Sequence, residues 1–217
     1  MKAFILAAGY GKRLAPLTDH TPKPLLRVGD KTLLERHLEA LATAGFADVV
    51  INVAHLAAQI ADFVQDGDRW GLRIRVSAEG DAPLETGGGM RRALPLLGPD
   101  PFVVVNADIL CDYPFDRLRR QQPTHCHLVL VDNPDYRSGG DFGVRQEQLT
   151  NDPELTYAGI GVYHPSLIAR SDTDHFSVVP RIRDAATRGL ASAEHYRGAW
   201  SDVGTPERLA LANAGTR

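Results

Sequence analysis

Short apolar runs alternate with amphipathic stretches through the first half of the chain. Ala3-Phe4-Ile5-Leu6, Val49-Val50-Ile51-Asn52-Val53 and Phe102-Val103-Val104-Val105-Asn106 are apolar almost without interruption. Continuous runs of that length are the pattern of strands buried on both faces of a parallel sheet. Between the first two, Leu33, Leu34, Leu38 and Leu41 make the stripe of a helix that Thr32 can cap and Gly45 stops, near Ala44. Ala57 to Val64 is expected to be a second helix, ended near Gly67. Leu72 to Val76 alternates apolar residues with arginine, which predicts a half-exposed strand. Gly87-Gly88-Gly89 is expected to lead into a short helix carrying Met90, Ala93 and Leu94.

The order up to Asn106 is thus β, α, β, α, β, α, β, which predicts a parallel sheet with right-handed crossovers. Beyond Asp108 the pattern loosens. Phe115 to Arg120 is expected to be a helix and Leu128 to Val131 a strand. Residues 141–149 and 155–163 are strand-like, with turn residues between them. Val178 to Arg188 reads as helix, Ala191 to Tyr196 as strand and Glu207 to Ala214 as a closing helix. The expected fold class is α/β, a single domain over residues 1–217 with a mainly parallel central sheet and a mixed C-terminal half.

Composition narrows the setting. Hydrophobic residues at 43% and charged residues at 24% are ordinary for a soluble globular protein. A net charge of -3 and the lack of any basic block argue against a nucleic-acid surface. Cys111 and Cys126 form neither a disulfide framework nor a zinc pattern. No apolar run reaches membrane length and the first one is too short for a signal peptide, so a cytoplasmic location without membrane partners is expected. The four lysines (Lys2, Lys12, Lys23 and Lys31) all precede residue 32, and every later cation is Arg or His.

Two loops interrupt the regular pattern. Residues 9–30 carry Pro16, Pro22 and Pro24, and residues 77–86 carry Pro83; loops this long inside a compact domain are usually functional. The first follows an apolar strand with Leu6-Ala7-Ala8-Gly9-Tyr10-Gly11-Lys12-Arg13-Leu14. Glycines let backbone N–H groups approach an anion, and Lys12, Arg13 and Lys23 can neutralise it. Pro22 and Pro24 stiffen the chain around Lys23. The spacing is that of neither a Walker A loop nor a GxGxxG fingerprint. It reads as a phosphate site at the carboxyl end of a strand, where ligands sit in such sheets. Asp108 falls at the same level. A strand-end Asp can be a turn or cap residue, but a carboxylate facing a triphosphate is also what Mg²⁺ requires.

Leu6-Ala7-Ala8-Gly9-x-Gly11-x-Arg13-Leu14-x-Pro16-Leu17-Thr18, followed by Pro22-Lys23-Pro24-Leu25, resembles the signature of the sugar-1-phosphate nucleotidylyltransferases. Further likeness runs nearly to the C-terminus. The resemblance implies a Rossmann-like nucleotidyltransferase fold, with a nucleotide-binding half over about 1–110 and a sugar-binding half over about 111–217. It implies Mg²⁺ as cofactor and an in-line displacement. Arg13 and Lys23 are then catalytic phosphate contacts together with Asp108. Leu6, Ala8, Gly9, Gly11, Lys12, Arg13 and Lys23 bind the nucleotide. Trp200-Ser201-Asp202-Val203-Gly204-Thr205-Pro206-Glu207 resembles the family's C-terminal motif, in which the residue matching Asp202 is the second metal ligand beside Asp108.

Glu79-x-x-x-Pro83-Leu84-Glu85-Thr86-Gly87-Gly88 is similar to the family's base-recognition loop, which places Glu79, Pro83, Glu85 and Thr86 at the base; Glu85 stands where the family commonly has glycine. A carboxylate can accept the N–H of uracil, and equally the paired N–H donors of guanine, so Glu79 excludes neither. On the acceptor side, the resemblance assigns sugar contacts to Asn106, Asp141, Gly143, Tyr157 and Gly159. The family's Glu-Lys-Pro, whose lysine takes the sugar phosphate, is replaced by Thr150-Asn151-Asp152-Pro153-Glu154. Leu84 to Gly89, Val131 to Pro134, Asp141-Phe142 and Glu194 to Trp200 are most similar to the branch that joins UTP to N-acetylmuramate 1-phosphate. The implied partners are UTP and a sugar 1-phosphate. Guanylyl or thymidylyl transfer to mannose or glucose 1-phosphate is the alternative, and a nucleotide-binding module without turnover is the third reading. Oligomeric state is not readable from the sequence.

Overall fold

In the computed structural model, which describes residues 1–215, strand β1 (Ala3–Leu6) takes the middle of the main sheet. The other elements follow in chain order: α1 (Leu17–His20), β2 (Arg27–Val28), β3 (Lys31–Thr32), α2 (Leu33–Thr43), β4 (Asp48–Val53), α3 (Ala57–Val64), β5 (Arg73–Ala78), α4 (Glu85–Leu97) and β6 (Phe102–Asn106). Then come β7 (Ile109–Cys111), β8 (Cys126–Val131), β9 (Phe142–Arg145), β10 (Gln148–Tyr163), α5 (Val179–Thr187), β11 (Ala191–His195), β12 (Trp200–Asp202) and α6 (Pro206–Ala214). The sheet runs β11-β8-β10-β6-β1-β4-β5, with β9 paired to β10. β1, β4, β5 and β6 are mutually parallel, as the apolar runs require. β10 enters antiparallel between β6 and β8 and makes the second half mixed.

Alternate residues of these strands face opposite layers. Ala3, Ile5, Val49, Ile51, Val103 and Val105 pack with Leu34, Leu38 and Leu41 of α2 and with Ile60 and Val64 of α3. Phe4, Val50 and Val104 face the other way, onto Met90, Ala93 and Leu97 of α4 and Ile182 and Ala185 of α5. Phe4 is fully buried, and burying such a side chain stabilises the fold by roughly 1.5–3 kcal/mol. The expected cap of α2 is present: Thr32 Oγ1 accepts the N–H of Glu35 at 3.1 Å.

Several expectations change. The three glycines lie inside α4, which starts at Glu85, not ahead of a shorter helix. A Cβ at Gly87 or Gly88 would clash with Phe176 or with the carbonyl of Asp174, so the glycines let the first turn of α4 lie against the 174–176 segment. The 115–120 stretch is a 3-10 helix. Residues 9–30 are not one loop; they contain short helical turns, α1 and the first strand of the β2–β3 hairpin. The turn before β10 falls at Gln146-Glu147, both at positive φ, and β10 then runs unbroken through 150–154. The β7–β12 ribbon has no signature in the sequence, because three-residue strands carry too few positions to show a period.

Candidate active site

The carboxyl ends of β1, β4 and β6 stop level with one another, Leu6 pairing with Asn52 on one side and Asn106 on the other. Beyond them opens a cavity of about 380 Å³. Every residue expected to bind nucleotide lies on its wall: Leu6, Ala8, Gly9, Gly11, Lys12, Arg13, Lys23, Glu79, Pro83, Glu85 and Thr86. Asn106 and Asp108 line it too.

The opening loop reaches this place by turning back on itself at Gly11. Gly11 has φ 65°, and a Cβ there would be 2.8 Å from Thr18 Cγ2 and 3.3 Å from Lys23 Cβ. Only glycine takes that conformation without strain and that contact without a clash. Thr18 Oγ1 donates to the Gly11 carbonyl at 3.0 Å and fixes the turn. Lys23, between Pro22 and Pro24, opens a short 3-10 turn and is 13% exposed along its side chain. Its Nζ donates to Asp108 Oδ2 at 2.5 Å.

The β7–β12 ribbon brings the backbones at Asp108 and Asp202, far apart in sequence, side by side. Asp202 pairs with Ile109, and the Val203 N–H donates to the Asp108 carbonyl at 2.7 Å. Trp200 ties the ribbon down by donating its indole N–H to the Ala158 carbonyl at 2.9 Å. The Asp202 carboxylate accepts from Arg208 Nη1 at 2.7 Å and from the Tyr136 hydroxyl. It lines a groove adjoining the main cavity, which Arg13 also lines. Among the described residues no three His, Cys, Asp or Glu side chains gather as a complete metal cage. Asp108 lines the main cavity and Asp202 the adjoining groove; carboxylates are the donors that a hard cation such as Mg²⁺ takes, phosphate oxygens and water completing its shell. Behind Asp108, His37 of α2 is 3% exposed; burial lowers its pKa to about 4, against the pull of the Asp108 charge.

Glu79 is not an exposed loop residue. It is 6% exposed, accepting from Asn52 Nδ2 at 2.6 Å through Oε1 and from the Leu84 N–H at 2.6 Å through Oε2. Asn52 Oδ1 in turn accepts the Ala7 N–H at 2.7 Å. One buried relay therefore links the opening loop, the end of β4 and the 79–84 strap. Gly89 leaves room for it: a Cβ there would collide with Glu79 Oε1. Glu85 has φ 62°, the left-handed region that favours glycine, which gives a backbone reason for the glycine common at this place in the family it resembles.

Of the expected acceptor-side residues, only Asn106 lies on the cavity wall. Gly159, φ 75°, sits at the irregularity in β10 and packs against it; a Cβ would be 2.7 Å from Asn106 Nδ2. Asp141 is held by both terminal nitrogens of Arg137, at 2.9 and 2.7 Å, and by the Tyr157 N–H at 2.9 Å. Gly143 lies in β9 against Thr150. The Tyr157 hydroxyl is 3.0 Å from that of Tyr163, and burial raises the pKa of both phenols. Strand-like patterning told nothing of which way these side chains turn. Asn52 and Gly204 line the cavity but were not singled out. Asn52 has a readable signal: it is the polar residue at the carboxyl-terminal end of the apolar run Val49 to Val53, next to last where Asn106 is last in its own run.

A profile of the family described as Nucleotidyl transferase matches residues 2–217. The chain is 42% identical over 226 residues to the N-acetylmuramate alpha-1-phosphate uridylyltransferase of Neisseria meningitidis serogroup B, covering 99% of this chain and 97% of that protein. It is 32% identical to the mannose-1-phosphate guanyltransferase of Aspergillus fumigatus, of whose length it spans 62%. Among solved structures, a putative glucose-1-phosphate thymidylyltransferase from Bacillus anthracis superposes with a TM-score of 0.87 at 21% identity, over 100% of this chain and 95% of that one. HddC from Yersinia pseudotuberculosis, complexed with GMP-PN, superposes with a TM-score of 0.82 at 21% identity, over 100% and 99%. Both share its fold. On the evidence of its matched length, its sheet and the motifs around its cavity, the chain belongs to the nucleotidyl transferase family.

Proposed function

We propose that the protein transfers the uridylyl group of UTP to N-acetylmuramate 1-phosphate, releasing pyrophosphate, as a cytoplasmic enzyme of cell-wall recycling. The observation that carries the substrate choice is the 42% identity across nearly the whole chain to the Neisseria enzyme of that name. The geometry supports the reaction class. In the displacement, an oxygen of the sugar phosphate bonds to the α-phosphorus of UTP, and the bond from that phosphorus to the bridging oxygen breaks. Pyrophosphate leaves with the electron pair. The attacking oxygen is already anionic at neutral pH, so no general base is needed, and the work is positioning and charge neutralisation. Lys12, Arg13, Lys23 and the loop N–H groups stabilise the charge of the triphosphate and of the leaving pyrophosphate. Asp108 and Asp202 would hold Mg²⁺, which supplies positive charge to the phosphates. Glu79, placed by Asn52 and Leu84, offers its remaining lone pairs to the N–H of the base. Asn106 faces the sugar, and Asp141, Gly143, Tyr157 and Gly159 shape that side from behind the wall.

Pyrophosphate release from each nucleoside triphosphate with a panel of sugar 1-phosphates tests the reading. UTP with N-acetylmuramate 1-phosphate should give the highest kcat/KM. A clear preference for GTP with mannose 1-phosphate, the pair named by the more distant relatives at 30–32% identity, would replace it.

A further inference from the structure

Gly204 gives two arginines a common meeting point. A Cβ there would fall well inside contact distance of Arg208 Nη2 and 3.1 Å from Arg13 Nη2. The φ of Gly204 is outside the left-handed region, so its backbone does not call for glycine. The missing side chain leaves space, and two guanidiniums fill it. The convergence lies at a seam: Arg13 and Gly204 belong to the wall of the main cavity, while Arg13 and Arg208 belong to the groove that holds Asp202.

Two like charges held side by side repel unless an anion shares them. Asp202 takes one N–H of Arg208, and the Arg208 guanidinium lies 4.3 Å from the Tyr136 ring centroid, so its plane is fixed from two sides. Its Nε is buried and has no partner. Arg13 enters no ion pair among the described residues. The arrangement thus has more fixed donors than acceptors. A guanidinium fork matches two oxygens of one phosphate.

We propose that Arg208, converging on Gly204 with Arg13 of the triphosphate loop, holds the phosphate of the acceptor sugar 1-phosphate. The proposal rests on the nucleotidyl-transfer reading. The chain has no lysine after Lys31, so any cation the second half supplies to that phosphate is an arginine or a histidine. Lys12, Arg13, Lys23 and the loop already serve the triphosphate. Arg208 is oriented by Asp202, a carboxylate that would hold Mg²⁺.

Three variants test it: Arg208→Gln, Arg208→Lys and Gly204→Ala. The last displaces only the far ends of two flexible side chains and so spares the fold. Each should raise KM for N-acetylmuramate 1-phosphate by about tenfold or more while KM for UTP stays within about threefold. An equal rise in KM for UTP would assign Arg208 to the triphosphate. A loss of kcat with both KM values unchanged would mean that Arg208 acts only through Asp202. Either result overturns the proposal. Should the wild type transfer nucleotide to no sugar 1-phosphate, the proposed function fails while this site stays testable by calorimetric titration with inorganic phosphate. Weaker binding to Gly204→Ala than to wild type would support it, and equal binding would overturn it.

Discussion

Asn52 and Glu79 are bonded side chain to side chain at 2.6 Å across the carboxyl ends of β4 and β5, each almost fully buried. The direction of the bond is fixed at both ends. Asn52 Oδ1 is committed to the Ala7 N–H and Glu79 Oε2 to the Leu84 N–H, so the amide must donate and the carboxylate must accept.

That polarity makes a swap informative. Asn52→Asp alone sets two carboxylates against each other, and Glu79→Gln alone turns an amide donor toward a donor. Each should cost about 1–3 kcal/mol and raise KM for UTP, because the relay holds both the phosphate loop and the base strap. The double variant restores the side-chain bond with its direction reversed, the Ala7 and Leu84 N–H groups still donating, and most of the lost stability should return. Urea unfolding of the four proteins checks this; a double variant as unstable as the sum of the singles would refute the relay.

Lys23 and Asp108 are expected to fail differently. Lys23→Ala removes a cation from the phosphates, and kcat/KM should fall by about a hundredfold or more, whereas a change under about threefold, less than 1 kcal/mol, would count against its role. Asp108→Asn keeps shape and removes the charge; it should lose most turnover in Mg²⁺ with the fold intact. Pyrophosphate release and circular dichroism on both variants separate the two losses.

Glu85 holds a backbone conformation that suits glycine. Left-handed φ in a residue with a side chain costs on the order of 1 kcal/mol, part of which glycine returns to the flexible unfolded chain. Glu85→Gly should therefore be neutral or stabilising by up to about 1 kcal/mol. A Tm lowered by several degrees would show that the Glu85 side chain contributes to the fold.

His37 makes stability depend on pH in a defined window. Its folded pKa, about 4, is below the ordinary value of 6.5, because burial penalises the charged ring. The unfolded chain therefore binds a proton that the folded chain refuses. The stability is fully present above about pH 6.5 and is lost as pH falls toward 4, at no more than about 1.4 kcal/mol per pH unit. Urea midpoints at pH 7.5 and 5.0 should differ for the wild type and differ less for His37→Asn. Equal differences in the two proteins would remove His37 as the cause.

The sheet's parallel half could be read from Ala3–Leu6, Val49–Val53 and Phe102–Asn106 because burial on both faces leaves a long apolar run. The cavity followed from it, since strand ends, glycines and lysines all fell at one level. The mixed half was harder to read. Gln148–Tyr163 holds a strand through polar Asn151, Asp152 and Glu154, where side chains are exposed and the sequence carries no period. The burial of Glu79 is not legible in the sequence for a related reason. Its burial depends on Asn52 and Gly89, and only the folded chain brings those three together.

The β7–β12 ribbon has a consequence for the order of events during synthesis. Asp108 leaves the ribosome well before Asp202, its proposed partner, which is carried by β12. Local βα units of the first half can form as they appear, whereas a pairing across so long a stretch must wait for loop closure. Nucleotide binding should therefore precede catalytic competence along the growing chain. A truncation just ahead of Trp200 should give a protein that holds UTP and cannot turn it over.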